Sequence, residues 1–184
     1  MVARDRLPSV SVARGNLLTN LEVRYGPVDV IGRFLLLGEE AALQRGISLS
    51  FATFDELVAV NRENRASWKP LVGVFDPGLG MLNASNSYCI LGRNSNGEVV
   101  SAQAARLYDW PTTSFYNEAT SLRFIYKDPE HDKRPDETVE VSALEAGHLR
   151  GRVVFSGAGW YRRDYRGTGL STILPRVSDR KSVV

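Results

Sequence analysis

The stretch GWYRRDYRGTGLSTILPRVSDRKSVV, residues 159–184, decides how the rest of the chain is read. An apolar segment, GRVVFSGAGW (151–160), runs into it as a buried strand. The basic turn Arg166-Gly167-Thr168-Gly169 comes next. Leu170, Ile173, Leu174 and Val177 then fall at i, i+3, i+4 and i+7, the spacing of a helix with one buried face. Glycines at 167 and 169 remove side chains that would hold an anion away from the backbone, and they accept unusual dihedrals. The first N–H groups of the helix have no intrahelical acceptor and lie at the positive end of its dipole. Strand, turn and helix together predict a pyrophosphate cradle at Arg166, Gly167, Thr168, Gly169, Leu170 and Ser171, with Arg162 and Arg163 adding charge.

The cradle is neither a P-loop nor a dinucleotide fingerprint. No Gly-Lys-Ser/Thr follows the glycines, only two of three fingerprint glycines are correctly spaced, and the preceding strand does not open a βαβ unit. Upstream, YCILG and EVVSAQAARLY flank RNSNG, and Asn96-Gly97 predicts a hairpin of strands at 88–93 and 98–108. ISLSFAT (47–53) alternates as a half-buried strand does. Thr53, with Glu56 three residues on, caps a helix over FDELVAVNRENRA. Residues 28–45 have helical spacing, with Gly46 as the stop. A helix is also expected over about 113–126, within an insertion at 109–137, and Pro175 is expected to kink the last helix. Residues 1–27 read as a loosely held arm.

At 184 residues the chain can bury one core. A net charge of +2, from 23 basic and 21 acidic residues, makes no case for nucleic acid. Cys89, the single cysteine, sits between apolar neighbours and reads as a buried thiol. No signal peptide or membrane span is seen, so a cytoplasmic protein is expected. His131, in DPEHDK, has no further ligands around it to make a metal site.

With DYRGTG in the cradle position, the chain resembles the GNAT superfamily of acyl-CoA N-acyltransferases, in which a Q/R-x-x-G-x-G/A loop holds the coenzyme A pyrophosphate on backbone amides. Asp164 stands where that motif has Gln or Arg. The order of elements over about 47–178 is similar too. The resemblance implies an α+β chain with an α/β-type three-layer build: a mixed, mostly antiparallel sheet flanked by helices. It implies transfer of an acyl group, acetyl above all, from acyl-CoA to a primary amine, with no metal. It also implies a strand bulge whose N–H polarises the thioester carbonyl, for which SGAG (156–159) is the equivalent, so Gly157 and Ala158 join the cofactor-binding set.

A base must deprotonate the amine. Glu145 and Glu140 are the carboxylates nearest the motif strand in sequence, although each reads first as a surface charge or edge-strand residue; His148 is a third candidate. Trp110, Trp160, Tyr108, Tyr161 and Tyr165 are candidates for an acceptor pocket or for core packing. The family continues past the motif helix with further strands. Residues 179–184 can be encoded as GAT CGG AAG AGC GTC GTG, a sequencing-adapter string. The expectation is therefore an arm at 1–27, a partial GNAT-like domain at 28–178, C-terminally truncated and inactive, and a non-native tail at 179–184. Two further readings stand beside it: a non-catalytic GNAT-fold module that binds coenzyme A or a protein partner, and an unrelated α+β protein using YRGTG as a plain turn.

Overall fold

The computed structural model describes Leu17 and residues 27–79 and 81–181, with side chains through Val177. Helices α1 (Val28–Leu43), α2 (Phe54–Glu63), α3 (Phe115–Thr120), α4 (Pro129–Asp132) and α5 (Leu170–Lys181) surround strands β1 (Ser48–Ala52), β2 (Ser87–Arg93), β3 (Val99–Trp110) and β4 (Gly151–Tyr161). The strands lie side by side in chain order, each antiparallel to the next. The chain is thus an α+β fold. No parallel pair occurs among the described residues, so the sheet there is wholly antiparallel rather than mixed.

Alternation sends successive side chains of each strand to opposite faces, and two cores follow. Ile31, Leu35 and Ala42 of α1 meet Leu170, Leu174 and Val177 of α5 on one face, over Leu49 and Ile90. On the other face Leu57 and Val60 of α2, with Trp68, Phe75 and Phe124 from connecting segments, cover Cys89, Leu91 and Ala104. The layers are helix, sheet and helix-with-loops, as expected.

Local chemistry fixes several boundaries. Thr53 Oγ1 accepts the N–H of Glu56 at 3.1 Å, the expected cap of α2. The return half of the capping box is not made in this way: the Glu56 carboxylate pairs with Arg93 on β2. Thr53→Ala is expected to cost about 1 kcal/mol of stability, readable as a lowered urea midpoint. Cys89 is buried, and its thiol faces the Ala52 carbonyl at 3.1 Å. Burial pushes the thiol up to about 12, so alkylation of the native protein at neutral pH is expected to be negligible. Rapid mass-detected labelling without denaturant would contradict that burial.

Three expectations need correction, and the final helix adds an observation. The helix near 113–126 is only Phe115–Thr120, because Leu122 takes a left-handed backbone (φ 62°) that turns the chain back toward the core. The strand at 151–160 is not buried throughout. As β4 it is outermost in the sheet and alternates half-buried and exposed residues, with Val154 36% exposed. The final helix crosses the 178/179 boundary. It runs from Leu170 through Pro175 to Lys181, and the missing Pro175 N–H falls opposite exposed Ser171, whose carbonyl water can satisfy. Leu17 is not loosely held: it is buried, and its N–H donates to Glu39 Oε1 at 3.0 Å. The rest of the 1–27 arm, Pro27 apart, and residues 182–184 of the tail lie outside the described residues.

Candidate functional site

Strand β4 carries two irregularities that lie on one path. The first is a bulge. Ala102 pairs with Trp160, but Ala104 pairs with Gly157, so β4 holds one residue more than β3 across that span. Ala158 adopts φ 52°, uncommon for a residue with a side chain. Gln103, buried opposite the extra residue, donates from Nε2 to Ser156 Oγ at 3.0 Å and braces the bulge. On the other face the Phe75 ring lies so close to Gly157 that a Cβ there would come 2.8 Å from the ring edge.

The second irregularity is the turn after β4. A single 3₁₀ turn, Arg163–Tyr165, leads to Arg166, and Gly167 (φ 79°) and Gly169 (φ 83°) are both left-handed. Among the described residues, none of the N–H groups of Gly167, Thr168, Gly169, Leu170 or Ser171 donates to a protein acceptor. Thr168 Oγ1 closes back on the Tyr165 carbonyl at 2.7 Å, and Thr172 Oγ1 on that of Gly169 at 2.7 Å, so the loop is held from within. Five consecutive N–H groups without a protein acceptor at a helix start are chemically suited to an anion. All six predicted cradle residues are in this loop and first helical turn. Leu170 contributes backbone alone, its side chain being buried.

The charges differ from expectation. Arg162 does not serve the cradle: its guanidinium pairs with both carboxylate oxygens of Asp164, at 2.8 and 2.9 Å, and with Glu98 at 3.0 Å. Asp164, the departure from the family motif, therefore neutralises its neighbour, and hydrogen bonds to Arg162 hold its carboxyl below the usual range. Arg166 donates to the Tyr161 carbonyl at 3.0 Å and to that of Ser67 at 3.4 Å, tying the strand end to the segment after α2. The cation packed against Gly169 is Arg45, just past the end of α1. Its Nε donates to the Thr168 carbonyl, its Nη1 to the Ala41 carbonyl at 2.6 Å, and its Nη2 would lie 3.3 Å from a Cβ on Gly169. Sequence reading missed Arg45, because 123 residues separate it from Thr168 and only the packing of α1 on α5 joins them.

Beside the bulge lies a cavity of about 460 Å³, walled by Ala158–Tyr161 and Arg166 on one side and by Ser67–Val72 on the other. Trp160 stacks on Trp68 with ring centroids 5.1 Å apart and planes 8° apart, and its Nε1 donates to Ser67 Oγ at 3.1 Å. Trp160 and Tyr161 thus line the groove and Tyr165 packs beside α5, whereas Tyr108 and Trp110 belong to the core.

The proposed bases are not brought to this groove. Glu145 is exposed on a short 3₁₀ turn, Leu144–Gly147, that precedes β4 at the end remote from the cradle. With His148 it borders a separate cavity of about 410 Å³ beside α3. Glu140 is exposed between Val139 and Val141, whose side chains pack on the core. His131 pairs with Asp128 at 2.9 Å. Among the described residues no cluster of acidic, histidine and cysteine side chains has metal-binding geometry, and no helix is long and apolar enough to cross a membrane. The chain matches no family model, no curated protein and no solved structure.

Proposed function

We propose that these residues form the acyl-CoA-binding half of a GNAT-type N-acyltransferase. The observation that carries this reading is a groove along β4 with the strand bulge at Ala158 in its wall and Arg166, the residue before the five-amide turn, also lining it. In this reading the amides of Gly167–Ser171 take the pyrophosphate of an acyl-CoA, Arg45 steadies the loop, and the pantetheine arm lies along Ala158–Tyr161. A backbone N–H at the Gly157–Ala158 bulge polarises the thioester carbonyl. A primary amine then attacks the carbonyl carbon, the C–S bond breaks, and coenzyme A leaves as the thiolate while the amine gives up its proton to a base.

Neither Glu140 nor Glu145 lines the groove, so the 184-residue chain is expected to bind coenzyme A without turning acyl-CoA over. The same fact favours a second reading, a GNAT-fold module that binds coenzyme A without catalysis. Calorimetry with coenzyme A and acetyl-CoA tests the shared claim, and thiol release from acetyl-CoA in the presence of a panel of primary amines separates the two. Absence of coenzyme A binding would sink both readings. Thiol release that vanishes in Glu145→Gln or Glu140→Gln would restore the role read from the sequence.

A further inference from the structure

Helix α1 is apolar on two sides. Ile31, Leu35 and Ala42 are buried against the core. On the outward side Val30 is 62% exposed, Leu36 42%, Leu37 54% and Leu43 46%. At about 100° per residue these four side chains, with the exposed Arg33 and Glu40, share one arc of the helix surface opposite the buried one. Single exposed leucines are ordinary, but aliphatics gathered on one arc mark a contact surface. Neither Arg33 nor Glu40 belongs to a described ion pair, the cations of which are Arg93, Arg123, His131 and Arg162.

The order of these residues is symmetric about the middle of the helix. Leu36 and Leu37 stand at the centre, Arg33 and Glu40 at equal distances on either side, and Val30 and Leu43 at equal distances beyond them. Only charge breaks the symmetry, positive before the centre and negative after it. Such a face is complementary to itself turned end for end. In an antiparallel pair Arg33 stands level with the partner's Glu40, Leu36 with the partner's Leu37, and Val30 with the partner's Leu43. A parallel pair would instead set like charge against like, which costs affinity. Within one chain Arg33 and Glu40 are two turns apart, beyond the one-turn neighbours that pair on a helix.

We propose that the outward face of α1 is the contact surface of a two-fold dimer, and that its occupant is the antiparallel α1 of a second copy of this chain. In such a contact one patch serves both copies. The aliphatic residues supply the burial, and the two reciprocal Arg33–Glu40 pairs fix the direction and register. One face of a 16-residue helix, about 24 Å long, is smaller than the ~800 Å² per partner of a standard interface, so the dimer is a weak one that forms and parts with concentration. The two copies of Arg45, each holding its own Thr168 carbonyl, then lie at opposite ends of the helix pair, about 25 Å apart along it. The contact is independent of the acyl-transfer reading.

Sedimentation of the full chain from micromolar to millimolar concentration should show a reversible monomer–dimer equilibrium. Leu37→Glu should abolish the dimer and leave the urea midpoint of the monomer unchanged, because the side chain it replaces is exposed. Arg33→Glu and Glu40→Arg should each weaken association about tenfold or more, since each sets two like-charge pairs in every dimer. The two reversals should recover association when the variants are mixed, and also when both are made in one chain, because opposite charges again face each other. Val30→Cys chains mixed with Leu43→Cys chains should cross-link under mild oxidation, and neither variant should do so alone; Cys89 is buried and stays out of the reaction. A monomer at every concentration would overturn the proposal and give the face to another segment of the chain or to a different partner. So would a dimer that survives Leu37→Glu, or a double reversal that fails to recover association.

Discussion

Gly167→Asp and Gly169→Asp are each expected to reduce coenzyme A affinity by about a thousandfold. A carboxylate placed about 4 Å from a phosphate charge, near the protein surface, opposes it by about 4 kcal/mol, and each 1.36 kcal/mol is tenfold. Backbone strain is a smaller part, because Asp tolerates the left-handed region better than most residues. The two sites differ in space: a Cβ at Gly167 meets nothing within 4 Å, whereas one at Gly169 crowds the Arg45 guanidinium at 3.3 Å. Gly167→Asn separates charge from shape, since it imposes a similar backbone and volume without the negative charge. It should retain most of the binding. Arg45→Ala should weaken binding less than either aspartate and should lose part of its effect at high salt, as an exposed charge does. Calorimetry reads all four variants, and unchanged affinity in both aspartate variants would remove the cradle from the functional reading.

Phe75→Ala is expected to be the most destabilising single change among the core aromatics, at about 3–5 kcal/mol. The ring is fully buried, stacks on Phe54 at 6.2 Å and meets Phe155 at 5.7 Å. It also seals the strand face at Gly157, where no side chain of β4 stands to fill a void. Against a total stability of about 5–15 kcal/mol, such a loss leaves little margin. Urea unfolding should show a lower midpoint at an unchanged slope. A loss below about 1 kcal/mol would mean that the bulge region closes over the gap. Gly157→Ala should harm the same spot from the other side by pushing the ring away.

Much of this was legible because it is local. Thr53 and Glu56, Asn96-Gly97, and the glycines of the cradle each act within a few residues of themselves, so their spacing is enough to read them. The SGAG bulge was legible through resemblance, although its left-handed residue is Ala158 and neither glycine. What escaped the sequence is what the sheet assembles. Arg45 reaches Thr168, Trp68 stacks on Trp160, and Arg162 turns to Glu98, all across long chain separations. The apolar run of β4 read as a buried strand because Val153, Val154 and Phe155 are consecutive, yet a pleated strand at the margin of a sheet must show every second one outward. The end of α3 was hidden for a different reason: Leu122 carries no chemical sign of the left-handed turn it makes.

Because the strands lie side by side in chain order, the sheet has a built-in sequence of assembly. The β2–β3 hairpin closes only residues 94–98, whereas joining β4 to β3 closes 111–150 and joining β1 to β2 closes 53–86. Three doublings of loop length add roughly 2 kcal/mol of closure entropy, so the hairpin is the natural nucleus and β4 docks late. Substitutions at Phe155 or Trp160 should therefore speed unfolding and leave the folding rate almost unchanged, while those at Leu91 or Ala104 slow folding. The bulge and the cradle thus hang on a strand that joins only after the hairpin has closed, as β1 does, and the lifetime of the groove is expected to follow the unfolding rate of β4 rather than the stability of the hairpin beneath it.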